Sequence, residues 1–400
     1  MKDSGIPWIG MIPSDWEVEP IGRNIHEVDN PNVGGKETNA LQFKAGTIIS
    51  KSVGDSKYHP TTLEAYNVVD AGVIMLNGLN LSFDLISQRV GLVQEKGVIT
   101  SAYLAIKPNE QIKSEFLTYL FKAYDARKAL HAMGKGLRQT LAWKELKSYS
   151  VVYPPLPTQQ RIADFLDRKC AEIDELAALQ ETMIAELKRY KQSVITEAVT
   201  KGLDPNVPMK DSGVEWIGEM PKGWVVRAIK TMATLKSGSN ITTNDIKEEK
   251  IGFPVYGGNG LRGYYSEYSD DGDYALIGRQ GALCGNINYA HGKFWATDHC
   301  VVCYPKTEFV LTWFGETLRT MNLNQYSLSS AQPGLSVERI KEKLMPVPPL
   351  TEQRTIADYL DQKCAEIDEL IAIKQQKIEA LKEYKKSVFF EYVTGKKEVL

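Results

Sequence analysis

The chain is written twice, and no other feature constrains its fold so tightly. Residues 1–10 read MKDSGIPWIG and residues 209–218 read MKDSGVEWIG. The correspondence continues through Pro13/Pro221, Trp16/Trp224 and Ile21/Ile229 at a constant spacing of 208. A second correspondence runs at a spacing of 194, where residues 162–176 (IADFLDRKCAEIDEL) and 356–370 (IADYLDQKCAEIDEL) agree at 13 of 15 positions. The two spacings differ by 14, so the first copy carries 14 more residues between Trp16 and its Pro154-Pro155-Leu156 segment than the second does before Pro348-Pro349-Leu350. Between those landmarks the copies hardly resemble each other. Two long units are too few for a solenoid. Drift after duplication would blur a whole unit, whereas here the ends stay sharp and the middles diverge. The ends therefore do one shared job and the middles do two different ones.

The ends read as helices. From Thr158 to Thr200 there is no Gly or Pro. Apolar residues fall at Ile162, Phe165, Leu166, Ile173, Leu176, Met183, Leu187, Tyr190 and Val194, with Gln180 filling one seam position. From Ile173 the steps alternate three and four, a heptad-like stripe. The second copy repeats it through Ile367, Leu370, Ile378, Leu381, Tyr384 and Val388. Each segment follows a Pro-Pro pair that holds the entering chain extended. Thr351 is a candidate N-cap for the second, and Pro157 stands in the matching place of the first. About 40 residues at ~1.5 Å each give a rod of ~60 Å that cannot bury its stripe alone. The other copy is the natural partner, and a folded domain between the two allows antiparallel pairing. Ile173, Leu176, Leu187, Tyr190, Ile367, Leu370, Leu381 and Tyr384 are the residues expected to pair the helices or receive a partner. The stretch TKGLDPNVPMKDSG (200–213) carries the Gly and Pro punctuation of a boundary, and the terminal VTGKKEVL echoes VTKGLDPN. The expected architecture is α+β: two mixed, strand-rich domains separated by a pair of long antiparallel helices, pseudo-twofold and nearly circular. Its expected segments are 1–157 (first domain), 158–203 (first helix), 204–350 (linker and second domain) and 351–400 (second helix and tail).

The middles carry the candidate binding residues. The second offers Gly-rich runs such as FPVYGGNGLRGYYSEY (253–268) and YALIGRQGALCGNINYA (274–290). Gly lets backbone approach a ligand closely. Arginine grips guanine O6/N7 and glutamine adenine N6/N7 in a bidentate manner. Tyr256, Asn259, Arg262, Tyr264, Arg279 and Gln280 are therefore candidates for DNA contact. On composition alone, hairpin turns with solvated side chains explain the same runs. The first middle offers Asn77, Asn80, Ser82, Gln88 and Arg89 among its apolar runs. Eight Lys/Arg against three Asp/Glu follow between Lys113 and Lys147, the one clear basic patch. Lys135, Arg138, Gln139 and Thr140 sit around its Gly-Lys-Gly turn, and Gln332 occupies the corresponding place in the second copy. A solvated helix face reads equally well there.

The pattern PPL(T/P)xQxxIAxxLDxK, followed by a long helix and occurring twice, resembles the conserved regions of Type I restriction-modification DNA-specificity subunits. The openings DSGxxWIGxxPxxW, the runs YGGNGxRGY and IGRxGAxxG, and SAQPG before the second PPL fit the same family, and the resemblance covers essentially the whole chain. It implies that the middles are target-recognition domains, each reading a short half-site of double-stranded DNA. Paired helices would set the unread spacer. The implied partners are two methyltransferase (modification) subunits and the restriction (motor-nuclease) subunits. The resemblance also implies a non-catalytic chain, with S-adenosylmethionine, ATP and magnesium on those partners. The first domain departs from the second at almost every loop motif, so the two half-sites should differ.

Charge is the main objection. The formal net charge is −2, which is not the footprint of bulk attraction to DNA. The objection weakens if the partners clamp the duplex and this chain supplies only local contacts. No GxxxxGK(S/T) phosphate loop and no Asn-Pro-Pro-aromatic adenine-flipping motif occurs in the sequence. His299-Cys300-x-x-Cys303 is the one metal-like cluster. It lacks a second ligand pair, and on a strand its cysteines would face opposite ways, so no metal is expected. Five cysteines and no export signal argue against a disulfide framework, and a cytoplasmic location is the expectation. A stand-alone DNA binder, a coiled-coil protein scaffold and a concealed hydrolase are the competing classes.

Overall fold

The computed structural model describes residues 1–51, 63–81, 88–136, 139–281, 283–327 and 334–399. Two helices dominate it, Leu156–Lys201 and Leu350–Val393. Each begins at the leucine of its Pro-Pro-Leu segment. Pro157 is accommodated in the first turn, where its missing N–H has no intrahelical partner to lose. The chain divides into two compact units, Met1–Glu181 with Gln376–Leu400, and Thr182–Gln375. The division falls inside both helices. Each unit thus contains the first half of one long helix and the last half of the other.

In the first unit the strand Glu17–Pro20 pairs antiparallel with Ser150–Tyr153, so the start and finish of the variable segment lie side by side. Between them is a four-stranded antiparallel sheet in the order Ile25–Glu27, Leu104–Pro108, Ile74–Leu76, Val90–Leu92. The helix Ser114–Ala126 buries Phe116, Leu117, Leu120, Phe121 and Tyr124, a helical spacing that gives the sheet one apolar cover. The same core takes Ile162, Leu166 and Cys170 from the first long helix and Val388, Phe389 and Val393 from the end of the second. Phe165 and Tyr392 bring their rings to 4.4 Å, and the Lys385 ammonium lies 2.6 Å from Asp174. Residues rising in one helix thus meet residues falling in the other: the pairing is antiparallel. The chain end then seats Gly395, in left-handed conformation, where a side chain would collide with Pro13, beside Trp16.

The second unit repeats this plan. Val225–Ala228 pairs with Leu344–Val347, and the sheet order is Ala233–Ser237, Cys300–Pro305, Tyr274–Gly278, Ile287–Ala290, again antiparallel throughout. The helix Leu311–Thr320 supplies Trp313, Phe314 and Leu318. Val194, Ile195, Ala198 and Val199 join Ile356, Ala357 and Leu360 in the core. Lys191 lies 2.7 Å from Asp368, the repeat-equivalent of the Lys385–Asp174 pair with the donor and acceptor helices exchanged. Gly202 takes the place of Gly395, against Pro221 and Trp224. The divergent middles therefore share one sheet. What differs is what is hung on it. The first unit adds the hairpin Leu41–Lys44/Thr47–Ser50 and the pair Tyr66–Val69/Gly97–Thr100. The second adds a sheet in the order Gly260–Tyr265, Phe253–Gly257, Lys293–Ala296, Asp270–Asp271.

The expected seam residues differ in depth of burial. Ile173 and Ile367 are buried, and Leu187 and Leu381 are half-buried. Leu176 (44% exposed), Leu370 (46%), Tyr190 (51%) and Tyr384 (49%) keep about half of their surface open, and Tyr190 and Leu370 line one groove with Met183 and Leu187. Each helix buries only a narrow stripe midway, through Ile173, Gln180 and Ile184 in one and Ile367 and Ile378 in the other. The neighbouring apolar positions fall just round the side, because a two-helix seam is narrower than the stripe the sequence supplies. Cys300 and Cys303 lie in two different apolar cores on opposite faces of their strand, and burial pushes the Cys300 thiol up to about 12. Among the described residues no group of His, Cys, Asp and Glu is arranged to hold a metal, and no helix is long and apolar enough to cross a membrane.

A buried glutamine locks each unit to its helix. The Gln159 amide donates to the carbonyls of Pro154 (2.8 Å) and Gln111 (3.0 Å), and its oxygen accepts the Lys113 N–H (2.8 Å). Gln353 does the same with Pro348 (3.0 Å) and the Val310 N–H (3.0 Å). Truncation would orphan these groups at roughly 1–3 kcal/mol each. Gln159→Ala is expected to loosen the first unit alone, and Gln353→Ala the second alone. Hydrogen–deuterium exchange resolved by peptide reads which unit loosens. Equal loosening of both units by either variant would contradict this local role.

Candidate functional site

The Gly-rich runs of the second unit meet at one rim of its sheet. Gly278 ends a central strand so close to Gly258 that a methyl on Gly278 would stand 2.0 Å from the Gly258 carbonyl oxygen. Gly258 in turn passes beneath the Gln280 carbonyl, and the Arg262 side chain lies across Gly257. Glycine is needed here for close approach of backbone to backbone. The Arg279 N–H donates to the His299 carbonyl at 2.8 Å, and the Leu335 N–H donates to the Arg279 carbonyl at 2.8 Å. Gln280 bridges to Gly334. The Arg279 guanidinium donates to Ser237 Oγ at 3.1 Å, and the Asn286 amide reaches Asn259 Oδ1 at 3.4 Å. A cleft of about 630 Å³ opens between Ser237, Arg279, Gln280 and the segment 334–338. Asn259, Arg262, Arg279 and Gln280, scattered over 22 residues, are thereby gathered on one rim.

The two tyrosines differ in placement. Tyr256 sets its ring edge to face against Phe294 at 5.8 Å and packs on the apolar core beneath the second sheet. Burial raises its phenol above the ordinary value. It is a packing residue. Tyr264 is half-exposed, and its backbone pairs with Lys247 in both directions.

The first unit builds the corresponding rim from other residues. Lys135 and Thr140 exchange backbone hydrogen bonds at 3.1 and 3.0 Å around a tight turn in which Gln139 has φ +43°. The Leu141 N–H donates to the Gly78 carbonyl at 2.9 Å, and the Leu81 N–H to the Gln139 carbonyl at 3.1 Å. Leu141 and Leu335 are equivalent in the repeat, and each donates to the loop that follows a central strand, through Gly78 in one unit and Arg279 in the other. Asn77 and Asn80 therefore stand beside Lys135, Gln139 and Thr140. Gln88 packs against the hairpin turn at Gly46. Ser82, Arg138 and Gln332 lie outside the described residues.

Two expectations change. Arg89 is 1% exposed and its guanidinium is turned inward onto backbone carbonyls, so it is no base-contact residue. A cation in a polar run between apolar residues looks surface-bound in a sequence, but here the loop above it supplies acceptors that make burial favourable. The basic patch also disperses. Arg127 stacks on the Phe390 ring at 4.3 Å, Lys122 lies 5.6 Å from the Tyr119 ring, and Lys113 precedes the helix Ser114–Ala126. Among the described residues of the patch, Lys135 is the one placed at the rim. Ser237, a member of the second rim, carries no signal in the sequence, because a lone serine at a strand end has no distinguishing neighbour.

Comparison with known proteins bears on the family and the fold. The sequence model described as "Type I restriction modification DNA specificity domain" matches residues 90–189 and 221–383. The EcoprrI specificity subunit of Escherichia coli is 45% identical over 130 residues, which span 32% of this chain and 32% of that subunit. A putative type I restriction enzyme specificity subunit, MjaX, of Methanocaldococcus jannaschii is 24% identical over an alignment covering 97% of this chain and 95% of its own. A chain solved in work on complex assembly and conformational transition of the type I R-M system superposes with a TM-score of 0.73 at 16% identity, covering 96% of this chain and 98% of that one. The HsdS subunit from Thermoanaerobacter tengcongensis gives 0.54 at 16% identity, with the same coverage. At such identity these two structures speak for the fold.

The close approach at Gly278 makes a sharp test of the second rim. Gly278→Ala must push the Gly258 turn outward, at a cost of about 1–3 kcal/mol. Faster hydrogen exchange is expected over 257–260 and 278–281, with the first unit unaffected. Unchanged exchange in those two loops would mean that they are not held against each other.

Proposed function

Because the chain belongs to the Type I restriction-modification DNA specificity family, we propose that it reads a bipartite DNA target, one half-site with each variable domain. It scaffolds two methyltransferase subunits and the restriction subunits on its conserved parts. The observation that carries this reading is the pair of equivalent rims. One backbone frame, with its Leu141 and Leu335 hydrogen bonds, displays Asn80, Lys135, Gln139 and Thr140 in one unit and Asn259, Arg262, Arg279 and Gln280 in the other. A constant frame with exchanged polar side chains is what reading two different short sequences requires. The names of the relatives support the same assignment.

The exposed helix residues support the scaffold role. Leu176 and Leu370 occupy equivalent positions, as do Tyr190 and Tyr384, and all four leave apolar surface outward. Equivalent apolar residues offered twice suit two copies of one partner, here the methyltransferase. The chemistry stays on the partners, which bind S-adenosylmethionine, ATP and magnesium. The net charge of −2 then poses no difficulty, since the partners hold the duplex backbone and this chain supplies base contacts.

The test is a methylation assay with DNA, S-adenosylmethionine, ATP and magnesium. The purified chain alone is expected to leave DNA unmodified and uncut. With its methyltransferase it is expected to direct methylation to a two-part sequence. Arg279→Ala is expected to weaken discrimination in one half only, by about 1–3 kcal/mol if Arg279 reads a guanine. Methyl transfer that tracks with the isolated chain would contradict the non-catalytic reading. A loss that is uniform over all single-base variants would make Arg279 a phosphate contact.

A further inference from the structure

We propose that Arg89 is a positioning residue for sequence reading by the first variable domain: its guanidinium holds the Asn77–Asn80 loop in the shape that presents Asn80. The inference rests on the functional reading above and names how one of the two rims is kept in register.

Arg89 Nη1 donates to the carbonyl oxygens of Asn77 (2.9 Å) and Leu79 (2.8 Å), and Nη2 reaches that of Asn80 at 3.5 Å. Three carbonyls from four consecutive residues thus converge on one buried cation. Without it their oxygen dipoles would repel one another in a site shielded from water. Guanidinium suits the task because its planar fork offers several donors at fixed angles, which an ammonium does not. The arginine is itself held from below. Its backbone N–H donates to Asp125 Oδ2 at 3.0 Å, and its backbone carbonyl accepts the Asn77 N–H at 2.8 Å. Asp125 belongs to the helix that covers the sheet, so the brace runs from the domain core to the loop.

The loop responds as a held object. Asn77 turns its own Oδ1 onto the Leu79 N–H at 3.2 Å, spending its side-chain acceptor locally. Gly78 has the Leu141 carbonyl where a Cβ would sit, so the loop cannot sink. Asn80 is left exposed at φ +49°, a conformation asparagine tolerates better than most residues. Its amide is the polar group the loop presents outward. The second unit repeats the backbone part of this arrangement with another residue. The Asn286 carbonyl accepts the Gly278 N–H at 2.8 Å, as that of Arg89 accepts the Asn77 N–H, and the Asn286 side chain reaches Asn259 of the neighbouring turn.

The experiment uses the full chain assembled with its methyltransferase. A library of random duplexes is bound, and the retained DNA is sequenced for the wild type, Arg89→Met, Arg89→Lys and Asn80→Ala. Arg279→Ala identifies which half belongs to the second domain. Arg89→Met is expected to lower discrimination in the first half on the order of tenfold or more, with the second half unchanged. Arg89→Lys, which keeps the charge and loses the fork, should fall between it and the wild type. Asn80→Ala should erase the preference at one position of the first half. Wild-type selectivity in the first half for Arg89→Lys would overturn the proposal, as would a decline shared equally by both halves. Should circular dichroism show that Arg89→Met is unfolded, Arg89→Lys and Asn80→Ala decide alone. A wild-type complex that selects no two-part sequence would instead sink the functional reading on which the proposal stands.

Discussion

Neither unit closes its core with contiguous chain, and the rest of the structure depends on how that need is met. The first unit takes Val388, Phe389 and Val393 from the last turns of the chain, and the second takes Val194, Ile195, Ala198 and Val199 from its middle. In each case the donated half-helix runs antiparallel to the unit's own, with the Lys–Asp pair between them at the same repeat positions. Burial of these apolar groups is the dominant favourable term, at roughly 1.5–3 kcal/mol for a fully buried Val, Ile or Phe side chain. The exposed Lys–Asp pairs add little to that, in keeping with the ~0–1 kcal/mol of surface ion pairs, and serve to fix the register. Gly395 and Gly202 then turn the chain against Trp16 and Trp224, so each donated helix ends on the tryptophan that opens its unit.

The variable segments meet the helices at fixed points, Gln111 and Lys113 against Gln159 and the Val310 N–H against Gln353. Each is entered and left through one antiparallel strand pair, Glu17–Pro20 with Ser150–Tyr153, or Val225–Ala228 with Leu344–Val347. Inside that doorway the four-stranded sheet and its covering helix are common to both units. The loops at the rim can change without disturbing the shared core, since the contacts that fix them are mostly backbone to backbone. The polar side chains displayed on that frame differ between the units, Asn80, Lys135, Gln139 and Thr140 in one and Asn259, Arg262, Arg279 and Gln280 in the other.

Much of this was legible in the sequence, and the limits are physical. The repeat and the Gly/Pro-free runs announced both helices, because helix formation shows in local spacing. The shared sheet was invisible. Ile74–Leu76 and Tyr274–Gly278 occupy the same place, yet all they share is burial, which many apolar residues satisfy equally. The gathering of Asn259, Arg262, Arg279 and Gln280 followed from their Gly-rich settings, since glycine signals close approach. Arg89 misled, because residue type does not reveal which way a side chain turns. That depends on carbonyls brought up from a separate loop. That Leu176 and Tyr190 stay half-open was not legible for a related reason: a stripe states which residues are apolar and not how wide the partner is.

The central claim is that the two variable segments are interchangeable readers in one doubled frame. It is tested most directly by a chain in which the second variable segment, between Ala228 and Leu344, replaces the first, between Pro20 and Ser150. The replacement joins at strand pairs of the same register. The chimera is assembled with the methyltransferase, and the modified DNA is mapped by methylation-sensitive long-read sequencing. The account predicts a symmetric target, in which the original second half-site occurs twice as an inverted repeat. A folded, active chimera that still methylates the original asymmetric sequence would contradict it.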